Sequence, residues 1–123
     1  MSATPRALQM IEVAARAASD KLADKILAFD VSEQLAITDA FLLCSASNER
    51  QVQAIVDEIE EKLRELGVEP PRREGHREGR WVLLDYGFIV VHVMSPEARD
   101  FYDLEGLWAD AERVTVVPSP LPS

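Results

Sequence analysis

The segment AFLLCSASNERQVQAIVDEIEEKLRELG, residues 40–67, decides the fold class of this chain. It opens on a continuous apolar run, residues 40–46, which is typical of a central strand covered on both faces. Asn48 then predicts a helix N-cap, with Gln51 three residues on as its reciprocal capping partner. One apolar stripe follows at helical spacing: Val52, Ile55, Val56, Ile59, Leu63 and Leu66. Gly67 predicts a left-handed C-terminal stop, so this segment indicates a buried strand followed by an amphipathic helix that packs on the sheet.

The residues before this segment predict a helix and a strand. Thr4 and Pro5 form a cap followed by proline at the first helical position, and apolar residues at helical spacing extend the helix to residue 23. Apolar and polar residues alternate in KILAFDV, residues 25–31, as in a half-buried strand. The polar stretch SEQLAITD, residues 32–39, indicates a turn.

The residues after Gly67 predict a hairpin and short helices. Residues 70–80 read as a loop with one short edge strand, whereas RWVLLDY and FIVVHVM flank Gly87 and predict a β-hairpin. Ser95-Pro96-Glu97 repeats the cap-plus-proline start of a helix, and residues 103–111 predict a further helical turn. The order of elements predicts a mixed β-sheet with helices packed on it, an α/β or α+β fold. We expect a single domain over residues 1–112 and a proline-rich, mobile tail over residues 113–123.

The composition describes a soluble globular chain that needs neither disulfides nor metals. Apolar residues make up 47% and charged residues 28% of the 123 residues, enough for one real core. No window approaches the roughly 18 apolar residues of a membrane span, and the N-terminus lacks the pattern of a signal peptide. The single Cys44 lies in an apolar run, which indicates a small buried hydrophobe rather than a reactive thiol. These features predict a cytoplasmic location.

The net charge of −9 is unevenly distributed along the chain. Residues 81–123 hold seven acids against two arginines, whereas residues 69–80 hold four arginines against three acids. Little direct nucleic-acid contact is expected, because phosphate binding requires clustered lysines and arginines. The acidity serves either solubility alone or the recognition of a basic protein partner.

The sequence holds no familiar motif for a cofactor or a metal. A phosphate-binding glycine loop is absent, and no Cys/His spacing suits zinc. Ser45 and Ser47 lie between a strand and a helix without the glycine framework of a nucleophile turn, so a helix-capping role explains them better. We interpret His76 as a solvent-exposed loop residue and His92 as a hydrogen-bonded structural histidine.

Paired carboxylates are the remaining route to catalysis, because a small mixed-sheet domain can transfer nucleotides with two acids that hold magnesium. Asp85 ends a strand, and Asp30 and Asp39 flank others. The positions two residues from Asp85 hold Leu83 and Gly87, so no second acid shares its strand face. We therefore predict that the chain is not an enzyme, and keep as the alternative a nucleotidyltransferase-like enzyme that uses Asp85 with another carboxylate.

The hairpin also predicts a surface. One strand face carries Trp81, Leu83 and Asp85, and the alternation in the second strand groups His92 and Met94. Aromatic residues and methionine are enriched at protein interfaces. A place in the core explains Trp81 and Met94 equally well, and the residues alone leave both interpretations open.

Two stretches carry a resemblance to a known family: residues 30–63, DVSEQLAITDAFLLCSASNERQVQAIVDEIEEKL, and residues 81–108, WVLLDYGFIVVHVMSPEARDFYDLEGLW. Over about residues 8–110 the chain resembles the Iojap family, also called ribosomal silencing factor. The resemblance implies a nucleotidyltransferase-like fold without the catalytic residues. It implies a homodimeric factor that binds the large ribosomal subunit through ribosomal protein fourteen of that subunit. Such a factor blocks joining of the small subunit and represses translation. A generic dimeric adaptor without a ribosomal role is a further alternative.

The resemblance and the strand alternation together predict a surface that binds the ribosomal protein: Trp81, Asp85, His92, Met94, Arg99, Tyr102 and Trp108. Two positions depart from the family pattern. Ala46 stands where glycine is usual, so the turn after the second strand is expected to differ locally, because alanine resists positive φ. Phe88 stands where an acid is common, which adds an apolar ring near the hairpin tip and weakens the enzymatic alternative.

Overall fold

Six strands and four helices make up the part of the chain that the computed structural model describes, residues 3–75 and 80–116. Their bounds are α1 Pro5–Asp20, β1 Asp24–Asp30, β2 Ala40–Ser45, α2 Glu49–Glu65, β3 Arg72–Gly75, β4 Trp81–Asp85, β5 Ile89–Met94, α3 Pro96–Tyr102, α4 Leu104–Leu107 and β6 Glu112–Val114. None of the helices within these residues is long and apolar enough to cross a membrane.

The strands form one mixed sheet in the order β3-β4-β5-β2-β1-β6. Only β2 and β5 run parallel to each other, and the other neighbours are antiparallel. All six residues of β2 are buried, as the unbroken apolar run predicts for a central strand. The mixed sheet with packed helices confirms the predicted fold class, and β3 is the short edge strand expected in the loop.

Helices α1 and α2 cover one face of the sheet. Helix α1 presents mainly alanines to the core, which lets it approach its neighbours closely, and it ends at Asp20 rather than at residue 23. On α2 the predicted stripe is buried from Val52 to Leu63, and only Leu66 at the helix end is partly exposed. Gly67 has φ +90°, which confirms the predicted left-handed stop.

The start of α2 confirms the cap but corrects its partner. Asn48 Oδ1 accepts a hydrogen bond from the backbone N–H of Gln51 at 2.9 Å, as predicted. The Gln51 side chain accepts from the backbone N–H of Ser47 at 2.7 Å rather than from that of Asn48. Its amide nitrogen also donates to the carbonyl oxygens of Lys21 at 3.1 Å and Leu22 at 3.0 Å. Gln51 therefore joins the start of α2 to the end of α1.

The two departures from the family pattern are accommodated differently. Among the described non-glycine residues, positive φ occurs at Leu22, Lys25 and Asp103 and not at Ala46, so the alanine introduces no backbone strain of the expected kind. Ala46 is buried, and its N–H donates to the carbonyl of Met94 at 3.0 Å. Phe88 is exposed at the hairpin tip.

The burial of Cys44 and the hairpin turn at Gly87 both agree with what the sequence predicts. Cys44 is fully buried in β2, and this burial raises the pKa of its thiol to about 12, as for a small hydrophobe without thiolate character. The hairpin turns at Gly87, which has φ +86°, and Asp85 Oδ1 accepts from the Gly87 N–H at 2.8 Å.

Strand β6 was not predicted from the sequence. Its residues pair antiparallel with β1, and the Arg113 guanidinium lies 5.2 Å from the centre of the Phe29 ring. The expected boundary between domain and tail, after residue 112, therefore falls inside a strand. Residues 117–123 of the expected tail, and His76, lie outside the described residues.

Candidate protein-interaction face

The face of the sheet opposite α1 and α2 carries the residues that the hairpin pattern grouped together. The register places three pairs side by side: Trp81 with Met94, Leu83 with His92 and Asp85 with Val90. This pairing confirms the predicted alternation. A second apolar cluster lies under this face, built from Phe29, Val31, Phe41, Leu43, Val90 and Ala111. Leu104 and Trp108 pack on this cluster from the chain segment that follows α3.

A row of aromatic side chains begins in this second cluster. Trp108 meets Phe41 edge to face, with 5.2 Å between ring centres, and Phe41 meets His92 in the same manner at 5.4 Å. Edge-to-face contacts at such distances are the favoured geometry, because the positive ring edge meets the negative ring face. Phe41 and His92 are both buried, so this half of the row belongs to the interior.

The other half of the row reaches the surface. The His92 ring lies 5.9 Å from Trp81, which lies 4.5 Å from Tyr102. Tyr102 in turn contacts Phe101 edge to face at 4.9 Å. Tyr102 is 45% exposed and Phe101 is 80% exposed. We call the six residues the aromatic row: Trp108, Phe41, His92, Trp81, Tyr102 and Phe101.

A hydrogen bond links the buried and exposed halves of the aromatic row. Trp81 Nε1 donates to His92 Nδ1 at 3.1 Å. Burial lowers the pKa of His92 to about 4, so the imidazole is neutral at neutral pH and its Nδ1 lone pair is free to accept. This contact confirms the interpretation of His92 as a hydrogen-bonded structural histidine.

Arg99 anchors the two short helices onto the sheet. The side chain is 3% exposed; its Nε and Nη2 donate to the two carboxylate oxygens of Glu105 at 3.0 and 3.3 Å. Its Nη1 donates to Ser45 Oγ at 3.0 Å. The hydrogen bond from Arg99 lowers the pKa of Glu105. The sequence does not predict Glu105 in this role, because the left-handed Asp103 between the two helices breaks any helical spacing from Arg99 to Glu105. The predicted helix-capping role of Ser45 is wrong, since its hydroxyl binds Arg99 and Asn48 caps α2.

The residues of the predicted binding surface differ in their exposure. Met94 is fully buried, and His92 and Arg99 are nearly so. These three side chains therefore lie beneath the molecular surface rather than on it. Tyr102 is exposed, and Trp81, Asp85 and Trp108 are half-buried.

Two exposed apolar residues of this region do not belong to the binding surface predicted from the sequence. Phe101 lies in α3 and Leu107, which is 70% exposed, lies in α4. Helices of seven and four residues are too short to show a periodic pattern in the sequence. The exposed apolar surface therefore extends further along α3 and α4 than the sequence predicts.

Asp85, on which the enzymatic alternative rests, is not brought together with Asp30. Asp30 Oδ2 accepts from the N–H of Ala3 and Asp39 Oδ2 from that of Thr4, both at 2.9 Å, at the start of α1. Asp30 pairs with Ala40 on the helix-covered face, whereas Asp85 lies on the opposite face. The strands β5 and β2 separate them, a distance of roughly 14 Å at the usual strand spacing. Within residues 3–75 and 80–116, no group of three His, Cys, Asp or Glu side chains is placed to hold a metal ion.

These features define a small α/β domain with exposed aromatic side chains on the side of the sheet opposite α1 and α2. The family model described as "Ribosomal silencing factor during starvation" matches residues 4–122. The chain is 43% identical over 102 residues to Ribosomal silencing factor RsfS of Bacillus subtilis, which covers 83% of this chain and 86% of that protein. It is 41% identical over 106 residues to the protein of the same name from Halalkalibacterium halodurans, covering 86% and 91% of the two chains.

A solved structure agrees with these relatives. The crystal structure of a Chromobacterium violaceum protein superposes with a TM-score of 0.79 at 34% identity, covering 93% of this chain and 95% of that one. The chain belongs to the ribosomal silencing factor family, as its sequence resemblance predicted.

Proposed function

We propose that this chain represses translation by binding the large ribosomal subunit through ribosomal protein fourteen of that subunit. Bound there, the domain sterically blocks the small subunit from joining. Family membership supports a ribosomal target. The observation that carries the proposal is the exposed end of the aromatic row, which gives a folded domain a ready contact surface.

We take as the contact surface the half of the aromatic row that reaches the surface, together with the exposed Leu107 of the following helix α4: Trp81, Phe101, Tyr102 and Leu107. Aromatic residues favour interface centres, because they bury a large area at a low cost in side-chain entropy. A standard interface buries about 800 Å² on each partner. That is a small part of the 7121 Å² of accessible surface of this chain, so one face of the domain supplies it.

Charge around this surface supports a basic partner. Glu97, Asp100 and Asp103 are exposed on and after α3, close in sequence to Phe101 and Tyr102. Arg99, the arginine within α3, is buried and bound to Glu105, so it does not offset these acids at the surface. Complementary charge mainly speeds association and selects the partner, whereas the aromatic contacts hold the complex.

Blocking subunit joining requires occupancy and no chemical step, so the proposal assigns the chain no catalytic residue and no cofactor. We also propose that the chain acts in the cytoplasm and as a homodimer, as the family resemblance implies. Sedimentation equilibrium of the purified chain tests the dimer independently of ribosome binding.

Co-sedimentation with isolated ribosomal subunits tests the proposal. The chain is expected to pellet with large subunits and not with small ones, and to reduce the yield of joined ribosomes when both subunits are mixed. An excess of purified ribosomal protein fourteen should compete for the chain. Binding to small subunits, or to neither subunit, would refute the proposal. Magnesium-dependent nucleotide binding that Asp85→Asn abolishes would instead support the enzymatic alternative.

A further inference from the structure

The indole of Trp81 makes a side-chain hydrogen bond to the neighbouring strand. An indole carries a single polar atom, the Nε1–H, which finds a hydrogen-bond partner when it is withdrawn from water. In this structure His92 Nδ1 accepts it, at 3.1 Å, from the strand next to that of Trp81. The indole therefore turns its polar atom towards the sheet and packs against Tyr102 at 4.5 Å.

We infer that His92 is a positioning residue for the contact surface: its Nδ1 fixes the indole of Trp81 in the orientation that presents an apolar ring beside Tyr102. The inference rests on the proposed function, and it assigns His92 no contact with the partner. It replaces the direct role that the sequence predicted for this residue.

The acceptor on His92 is held rigidly. His92 lies in β5 between Leu83 of β4 and Leu43 of β2, so both neighbouring strands fix its backbone. The edge-to-face contact with Phe41 at 5.4 Å restrains the ring itself. The side chain is 6% exposed, so it has little freedom to follow a moving indole. The position of the His92 ring therefore determines the orientation of the Trp81 indole, and not the reverse.

A fixed indole matters for binding because an interface side chain that is already ordered loses less entropy when the partner arrives. Without the acceptor, the Trp81 N–H would have to turn towards water or towards the partner. The indole would then leave its packed position beside Tyr102. Binding would weaken even though Trp81 itself is unchanged.

Two substitutions separate positioning from space filling. His92→Asn keeps an oxygen acceptor close to the place of Nδ1 but leaves a gap, whereas His92→Leu keeps the volume and removes the acceptor. We expect His92→Asn to bind large subunits within about threefold of wild type, and His92→Leu to bind about tenfold more weakly, since ordering one large side chain carries an effect of this size. A residue that only filled space would show the opposite ranking, with leucine the better replacement.

The indole N–H signal of Trp81 gives a readout that does not involve the ribosome. The chain has two tryptophans, so Trp108→Phe assigns the two indole signals in a nitrogen–proton NMR spectrum. The Trp81 signal should stay at its hydrogen-bonded position and exchange slowly in wild type and in His92→Asn. It should shift and exchange faster in His92→Leu.

The outcomes distinguish this inference from the proposed function. Wild-type binding together with undiminished binding of folded His92→Leu overturns the inference alone, as does an unchanged Trp81 signal in that variant. Failure of the wild type to bind large subunits overturns the proposed function and the binding role of His92 with it. Weakened binding and a shifted signal in His92→Leu, with both restored in His92→Asn, support the inference.

Discussion

The guanidinium of Arg99 is held in a two-point contact with the carboxylate of Glu105, at 3.0 and 3.3 Å, although only the arginine is buried. Ser45 at the end of β2 receives the third hydrogen bond. Arg99 thus fastens the α3–α4 segment, which carries much of the exposed apolar surface, to the central strand. Removal of either partner has unequal consequences, because only loss of Glu105 leaves a buried charge without its counter-ion.

We expect Glu105→Ala to lower the free energy of unfolding by roughly 2–3 kcal/mol, somewhat less than for a fully buried pair because water still reaches the carboxylate. The double variant Arg99→Leu with Glu105→Ala should be more stable than Glu105→Ala alone, since it removes the stranded charge. Urea unfolding measures both. Asp100→Ala, an exposed acid on the same segment, is the control. A Glu105→Ala variant as stable as this control would contradict the anchoring role.

The stripe on α2 gives a prediction about the core. Ile59 is fully buried between α2 and the sheet. Ile59→Ala should cost roughly 2–5 kcal/mol of stability, the range for a buried large-to-small change that leaves a cavity. Thermal melts would measure it beside Glu12→Ala, an exposed position on α1. A loss below about 0.5 kcal/mol, as at surface positions, would show that this helix face is not core.

The elements that the sequence predicts well are those whose pattern is long or local. Helix α2 has more than four turns of one apolar stripe together with its own cap and stop, so each local signal agrees with the packing. The hairpin is set by alternation around Gly87. Helix α2 and the hairpin can therefore be predicted without knowledge of the rest of the chain.

What the sequence does not reveal depends on contacts between distant residues. Strand β6 is three residues long and is a strand only because β1 lies beside it. The hydrogen bond from Arg99 to Ser45 spans 54 positions, and no local spacing signals it. The burial of His92, Met94 and Arg99 escapes the sequence for the same reason, because strand alternation gives the face of a residue but not what lies above it.

The contact surface predicts a strong effect at its aromatic centre. Trp81→Ala should weaken binding to large subunits by about 2 kcal/mol, roughly thirtyfold in affinity, because buried tryptophans are frequent hot spots. Glu12→Ala, on the helix-covered side of the molecule, should bind as wild type. Circular dichroism must show that the Trp81 variant is folded, since the side chain is half-buried. Equal binding by the folded Trp81 variant and the control would place the interface elsewhere on the domain.

Asp85 allows the charge at this face to be tested separately. Its Oδ1 accepts from the Gly87 N–H at 2.8 Å, and an asparagine oxygen can replace this acceptor. Asp85→Asn therefore keeps this turn contact and removes the charge, together with the 3.9 Å ion pair between Asp85 and the exposed Arg72. If Asp85 meets a basic residue of the partner, the variant should bind more weakly at low salt and show a smaller loss of affinity as salt increases, because screening acts on exposed charges. Identical salt dependence in both proteins would mean that Asp85 lies outside the interface.

The buried His92 predicts how stability depends on pH. Its folded-state pKa of about 4 lies below the usual value of 6.5, so the unfolded chain takes up a proton at a higher pH than the folded chain does. The contribution of the neutral His92 to the free energy of unfolding is therefore fully present above the unfolded-state pKa. This contribution is lost as the pH falls from 6.5 towards 4. Between about pH 7.5 and 5, wild type should lose about 2 kcal/mol more stability than His92→Asn, which has no titrating group at this position. Urea unfolding at a series of pH values measures the difference between the two curves, and all other titrating groups are common to both proteins. Parallel curves for the two proteins would show that His92 is not held neutral by burial beneath the aromatic row.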